Sequence, residues 1–435
     1  MQLILKNVNS FAFGMYLFFG VLLLQNIVVL PFLATGLAFP ISLVYAIKYV
    51  LLAAVGCLLL VTRDFYRTLW ADKPVMAVLG AVLLLAAVRG GGFGYMAEEL
   101  RFYLTPAAFY LIGKAAGPFH DERQIGRFVV FVALFYVAIG LLFIVVDRRF
   151  LMDFGLRSFF HQKLPEIGRG DETYNGMPTN FFYFGNEGRV FYRAFGAFFD
   201  PLVTAYFGAS LFFFLYETHR RKLVRYAGVL TVFVGLLLML TMTRAIIMGV
   251  AFVVVLSITR RKGIAALPVW LALVVGGVAL AAAILNFASL LSLLDPSSVA
   301  HLNAYRNISI TTGLIGSPPD PDAPRGAESL YLTILMELGV GVLAVFVIWF
   351  ASIYRKLLRG YELPYMRPTL ESMFVYLLAS FTTEHWFVFT SGSIFWFLLG
   401  NVLRNAERNA PQKRARSTEV FPPAATPAHD APGRA

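Results

Sequence analysis

The feature that most constrains this chain is the recurrence of apolar segments about as long as a bilayer is thick. A hydrocarbon core ~30 Å thick takes about 20 helical residues to cross. Twelve segments of that kind follow one another, near 12–33, 40–61, 74–88, 102–117, 128–146, 192–215, 226–241, 245–259, 264–286, 329–353, 369–383 and 387–403, the third and fourth being short. Lipid offers the backbone no hydrogen-bond partners, so segments this long and this apolar cross as helices. The expected fold class is therefore an all-α integral membrane protein with about 12 transmembrane helices. Its charged fraction of 14%, against about 25% in soluble domains, agrees. The first apolar run lacks a small-residue cleavage site behind it and is expected to stay as a span.

Basic residues test the orientation, because Lys and Arg concentrate in cytoplasmic loops. With the N-terminus inside, the cytoplasmic loops are 63–73, 114–127, 217–225, 260–263 and 354–368, carrying clusters such as Arg220, Arg221, Lys222 and Arg225. Together with both termini they hold roughly two thirds of the 37 Lys and Arg residues, although the opposite loops are longer. Both termini are thus expected in the cytoplasm. The net charge of +12 belongs to this orienting pattern, which argues against a nucleic-acid partner. Two long loops, about 148–191 and 287–328, fall on the external side, where binding and catalytic residues of a bundle tend to sit. Residues 1–403 form the polytopic domain, and the basic, Pro- and Ala-rich tail 404–435 is expected to be disordered. The single cysteine, Cys57, excludes an intrachain disulfide and a cysteine metal cluster.

Ionisable residues gather at the external edge. The stretch from Ser297 to Val342 brings His301, Arg306, Arg325, Glu328 and Glu337 between apolar segments. Ahead of it, Arg189 and Arg193 stand four apart where the sixth segment begins, so in a helix they share one face. Paired guanidiniums suit a diphosphate, since the planar fork matches phosphate oxygens and stays charged. The alternative is that they snorkel to headgroups. Asp200 falls inside the same segment, where a carboxylate needs a partner such as Arg193 or Arg244. Arg244 lies at the tight junction of the seventh and eighth segments, Arg101 has Glu98 and Glu99 nearby, and Lys48 falls within the second segment. Asp320 and Asp322 sit in a proline-rich turn and are not taken as metal ligands. Glu384 and His385 lie on the short external link before the last segment.

Two motifs carry a resemblance. Arg-x-Phe-Gly-x-Phe-x-Asp-Pro runs from Arg193 to Pro201, and His301-Leu-x-Ala-Tyr leads through Gly313 and Gly316 to Glu328-Ser-Leu-Tyr-Leu-x-x-Leu-x-Glu-x-Gly at Gly339. With the twelve segments, these resemble the bacterial O-antigen ligase and Wzy-type polymerase superfamily. The resemblance implies a bundle like that of GT-C glycosyltransferases, which need no metal or other cofactor. It also implies transfer of glycan from undecaprenyl diphosphate at the periplasmic face of the inner membrane. It assigns Arg193, and Arg306 as the nearest loop arginine, to the carrier diphosphate, and Arg189, Arg244 and Arg325 are further candidate cations by their own position at the external edge. The ligase branch has a histidine, commonly followed by Asn, where this chain has Glu328-Ser329, which points to polymerisation over ligation to lipid A core. The acceptor hydroxyl would attack the anomeric carbon, Glu328 or His301 would take its proton, and arginines would stabilise the leaving diphosphate. The expected partners are lipid-linked donor and acceptor glycans, the bilayer, and chain-length regulator or export proteins. A reading from another class is a lipid-linked oligosaccharide transporter, which would carry ionisable residues at mid-membrane depth, and Lys48 and Asp200 are the residues that suit it.

Overall fold

Ion pairs collect at one end of a helical bundle, and that end is where the short basic loops of the sequence fall. The computed structural model describes residues 2–35, 41–60, 63–89, 93–116, 119, 121–163, 173–174, 177–178, 181–184, 190–259, 316, 330–380 and 385–419. Its helices are α1 (Gln2–Ala34), α2 (Ile41–Leu60), α3 (Arg63–Ala71), α4 (Lys73–Arg89), α5 (Phe93–Ala116), α6 (Glu122–Val145), α7 (Arg148–Leu151), a π-helical turn (Met152–Leu156), α8 (Arg157–Lys163), α9 (Pro201–Arg220), α10 (Ala227–Leu240), α11 (Arg244–Thr259), α12 (Leu330–Arg359), α13 (Met366–Ala379) and α14 (Phe389–Glu419). Phe11–Ala34, Glu122–Val145 and Thr333–Arg359 are long and apolar enough to cross a membrane. Ala46–Cys57, Lys73–Val88, Ala227–Leu240 and Arg244–Val254 are shorter apolar helices. A helical membrane protein is therefore supported, with three full-length candidate spans among the described residues; the ninth expected segment, 264–286, lies outside them.

Four departures from the sequence reading have local causes. Residues 63–73, read as a loop, contain the amphipathic helix α3, which buries Thr68 and exposes Tyr66, Arg67 and Trp70; aromatic and basic residues of this kind suit a membrane interface. The tail read as disordered from 404 continues α14 to Glu419. In the first long stretch read as loop, antiparallel pairs form between β1 (Thr173–Tyr174) and β2 (Met177–Pro178) and between β3 (Phe182–Phe184) and β4 (Val190–Tyr192). The sixth segment, read as helical from 192, becomes a helix only at Pro201, because Asp200 accepts from Leu202 N and Val203 N as the N-cap and proline follows at the first helical position.

The largest helix interface joins α5 and α14, which run parallel. Two glycines make it possible. A Cβ on Gly113 would stand 2.1 Å from the Phe397 carbonyl oxygen, and one on Gly400 would stand 2.1 Å from the Tyr110 carbonyl oxygen. Beside this contact Trp396 stacks between Trp349 of α12, at 5.1 Å, and Trp386, at 4.7 Å. α12 is broken at Gly339 (φ 81, ψ 170), a conformation almost confined to glycine. Just before the break, buried Glu337 accepts a hydrogen bond from the Tyr103 hydroxyl of α5.

At the basic end, Asp72 between α3 and α4 accepts from Lys114 Nζ at 2.6 Å, from Tyr110 Oη at 2.6 Å and from Lys356 Nζ at 3.4 Å. Glu407 of α14 lies 3.0 Å from Lys114. Glu217 takes Arg220 and Arg221, and Arg221 reaches Glu122 of α6. Burial, the largest single influence, pushes the Asp72 carboxyl up, but Lys114, Lys356 and the Tyr110 hydroxyl together hold it below its ordinary value. A carboxyl depressed in the folded state contributes stability that is fully present above the unfolded value, ~3.9, and lost as pH falls through the folded value.

Two predictions follow from these contacts. Asp72→Asn leaves a buried ammonium with a weaker partner set and is expected to cost about 3–5 kcal/mol at neutral pH, measured by thermal unfolding in detergent. It also removes the part of the wild type's acid lability that sets in below about pH 4. Gly400→Ala forces α5 and α14 apart and costs about 1–3 kcal/mol or more, visible as loss of monodisperse protein on size exclusion.

Candidate functional site

The end of the bundle opposite the ion pairs is built around the turn between β4 and α9. Each residue of Arg193-Ala-Phe-Gly-Ala-Phe-Phe-Asp-Pro has a local job there. The Arg193 backbone N–H donates to Phe181 O at 2.9 Å, which extends the β3–β4 pairing by one rung, and Ala194 N donates to Leu240 O at 2.8 Å, which ties the turn to the end of α10. Gly196 takes a left-handed φ of 50° against the Thr204 side chain, and Thr204 Oγ1 closes back on the Phe195 carbonyl. Asn26 of α1 donates from Nδ2 to Ala197 O at 2.9 Å. Phe199 is also left-handed, at φ 53°. A non-glycine residue there costs of order 1–3 kcal/mol and persists only where its surroundings hold it. Phe143, Phe159 and Phe195 all pack edge-on or tilted around it, at 5.1, 5.0 and 5.8 Å.

Arg193 is thereby fixed off any helix. Its Nε donates to Thr241 O at 2.8 Å and its Nη2 to Thr243 Oγ1 at 3.0 Å, across the turn between α10 and α11. Burial lowers the guanidinium from its ordinary value, Asp200 pulls it back up, and Arg244, the first residue of α11, pushes it down. The two arginines and the carboxylate therefore share one electrostatic neighbourhood, with Arg244 exposed beside the half-buried Arg193. The shared helical face expected for Arg189 and Arg193 is corrected here, because Arg193 lies in extended chain whose backbone N–H pairs with Phe181 rather than within a helix. Arg189, His301, Arg306, Arg325 and Glu328 lie outside the described residues, as do Asp320, Asp322 and Glu384. Arg101, exposed, donates to Tyr49 Oη at 3.4 Å.

Next to Asp200 a cavity of ≈ 280 Å³ opens between α1, α2, α8, the turn and the start of α14. Its polar lining comes from Gln25, Asn26, Lys48, Asp200, His385 and Thr390, and its aromatic lining from Phe159, Phe160, Phe181, Phe198 and Phe199. The α8 side of the wall is set by Gly155 in the π-helical turn. Its φ of 106° and its approach to the Leu30 carbonyl, 2.4 Å from where a Cβ would stand, admit only glycine and press α8 onto α1. Lys48 is buried, with Nζ 5.2 Å from the Tyr49 ring centre and 5.5 Å from that of Phe389. His385 lies 5.9 Å from the Tyr206 ring, and its carbonyl accepts from Ser391 Oγ. Gln25 is buried, and its Oε1 has no hydrogen-bond partner among the described residues.

Sequence reasoning found Arg193, Asp200, Arg244, Lys48 and His385 one at a time and missed Gln25 and Asn26. The available signal was an adjacent amide pair inside an apolar helix, where side chains of that kind need partners. Among the described residues no three His, Cys, Asp or Glu side chains come together as a metal-binding group.

The sequence matches no protein-family model and no curated protein.

Asp200→Ala removes the α9 cap and is expected to cost about 0.5–2 kcal/mol, whereas Asp200→Asn keeps a capping oxygen and costs a few tenths. Thermal unfolding of the two variants, side by side, checks this.

Proposed function

We propose that the chain is a membrane-embedded polysaccharide polymerase of the O-antigen ligase and Wzy-type polymerase kind that its motifs resemble. It moves glycan from undecaprenyl diphosphate to the terminal sugar of a lipid-linked repeat unit, at the external face of the bacterial inner membrane. The observation that carries this reading is the tether of Arg193 to Thr241 O and Thr243 Oγ1. The tether pre-orients a guanidinium that shares its electrostatic neighbourhood with Arg244 and with Asp200 of the cavity lining, and preorganised cations act where charge develops on a leaving group.

In the proposed reaction the acceptor hydroxyl oxygen bonds to the anomeric carbon, the bond from that carbon to the diphosphate oxygen breaks, and the hydroxyl proton passes to Glu328 or His301. Undecaprenyl diphosphate leaves with the bonding electrons, and Arg193 and Arg244, with Arg189, Arg306 and Arg325 as further candidates, balance its charge. Asp200 favours the charged form of Arg193 and so keeps the cation in place. Lys48 and Asp200, the residues that suit transport, line a cavity bounded by an aromatic wall, which fits a bound sugar better than a conduit.

Reconstitution of the purified protein with lipid-linked repeat units and no added divalent metal tests the proposal. The expected result is a ladder of longer lipid-linked glycans, slowed about 10²-fold or more in Arg193→Ala. Full activity in both Glu328→Gln and His301→Ala would remove those two residues as bases. Glycan on added lipid A core without a ladder would mean a ligase. Movement of the lipid-linked substrate across the bilayer with neither product would mean a transporter.

A further inference from the structure

We infer that the cavity beside Asp200 is a subsite for one uncharged, hydroxyl-rich sugar ring, gripped by polar side chains and by phenyl rings. The inference rests on the glycosyltransferase reading for its place in the reaction, though not for its chemistry.

Three observations converge. Gln25 is 3% exposed, and its Oε1 takes no hydrogen bond among the described residues. A buried acceptor left unmade costs free energy, and the Gln25 side chain that carries it lines the cavity. Asp200 commits Oδ1 to two backbone N–H groups, at 2.7 and 3.2 Å, and retains a second carboxylate oxygen. Thr390 adds a hydroxyl that accepts or donates. The polar lining thus presents acceptors together with donors, among them the Lys48 ammonium and the Gln25 amide N–H groups, which suits a ring whose O–H groups both donate and accept.

The aromatic part of the lining is rigid and apolar. Phe159 meets Phe199 edge-to-face at 5.0 Å, and Phe160 meets Phe181 the same way at 5.0 Å. Rings locked in this manner offer fixed negative faces and positive edges, and the C–H groups of a sugar's apolar face stack against such surfaces. A lipid tail would leave the polar lining without hydrogen-bond partners. An anion is not selected, because Lys48 and Asp200 bring one positive and one negative group to the same space. At ≈ 280 Å³ the space far exceeds the ~30 Å³ share of one water and lies just under the ~300–1,000 Å³ of drug-sized pockets. That size suits a single ring and excludes an oligosaccharide.

The test uses full-length protein in nanodiscs and saturation-transfer NMR with the methyl glycosides of glucose, galactose, mannose and N-acetylglucosamine. None of these carries a diphosphate. At least one glycoside is expected to receive saturation from the wild type and from Arg193→Ala, and to lose it in Gln25→Leu and in Thr390→Val, each first shown monodisperse. In the polymerisation assay the same two variants are expected to raise KM roughly three- to tenfold, as loss of a neutral hydrogen bond would, with kcat changed less than twofold. No transfer to any glycoside would mean that the cavity holds water only and would overturn the inference. Equal transfer to wild type, Gln25→Leu and Thr390→Val would overturn it too, because the sugar would then sit elsewhere. Glycoside binding lost in both variants, without glycan transfer by the wild type, would uphold the subsite and sink the polymerase reading alone.

Discussion

The backbone contact of α5 with α14 at Gly113 and Gly400 is the constraint on which the other packing depends. Between helices in lipid there is little hydrophobic drive, so association depends on close packing, and small residues permit it. Because the two helices run parallel, one contact registers both ends of the bundle. Toward the start of α14 it sets His385, Val388 and Thr390 against the cavity. Toward the other end it brings Glu407 to Lys114, and through Lys114 to Asp72. The stacked Trp349, Trp396 and Trp386 then wedge α12 against the same pair.

The turn from Arg193 to Pro201 is the second organising element. A continuous helix from 192 would have carried Arg193 around a helical surface, free to snorkel. Two left-handed residues, Gly196 and Phe199, break the chain instead. The same break lets Asp200 cap α9, presents Ala197 O to Asn26 and turns Phe198 and Phe199 into the cavity wall. Strain at Phe199 is held by surrounding rings rather than relieved, as is common where backbone geometry serves a site.

Charge separates along the bundle. The ion pairs among the described residues lie at the basic end and include Asp72 and Lys114, which are almost fully buried. At the other end Arg193 donates to threonine oxygens in the field of Asp200, Arg101 donates to a tyrosine hydroxyl, and Lys48 lies over aromatic rings.

The sequence by itself determined that the chain is helical and suited to a membrane, because hydropathy is a sum over neighbouring residues and needs no tertiary information. It did not place the helix start at Pro201, because the apolar run continues upstream of Asp200 and reads as helical from 192. Local patterning failed where it had to weigh competing local forces: α3 is too short and too charged to register as an apolar segment, and α14 outruns its apolar part to Glu419. Only the tertiary structure decided that Gln25, Lys48, Asp200 and His385 share one cavity. Asn26 and Ala197 are 171 residues apart and bonded; which far-apart side chains meet is set by helix crossings such as that at Gly113 and Gly400, where backbone approach depends on both partners at once and no window of one segment contains it.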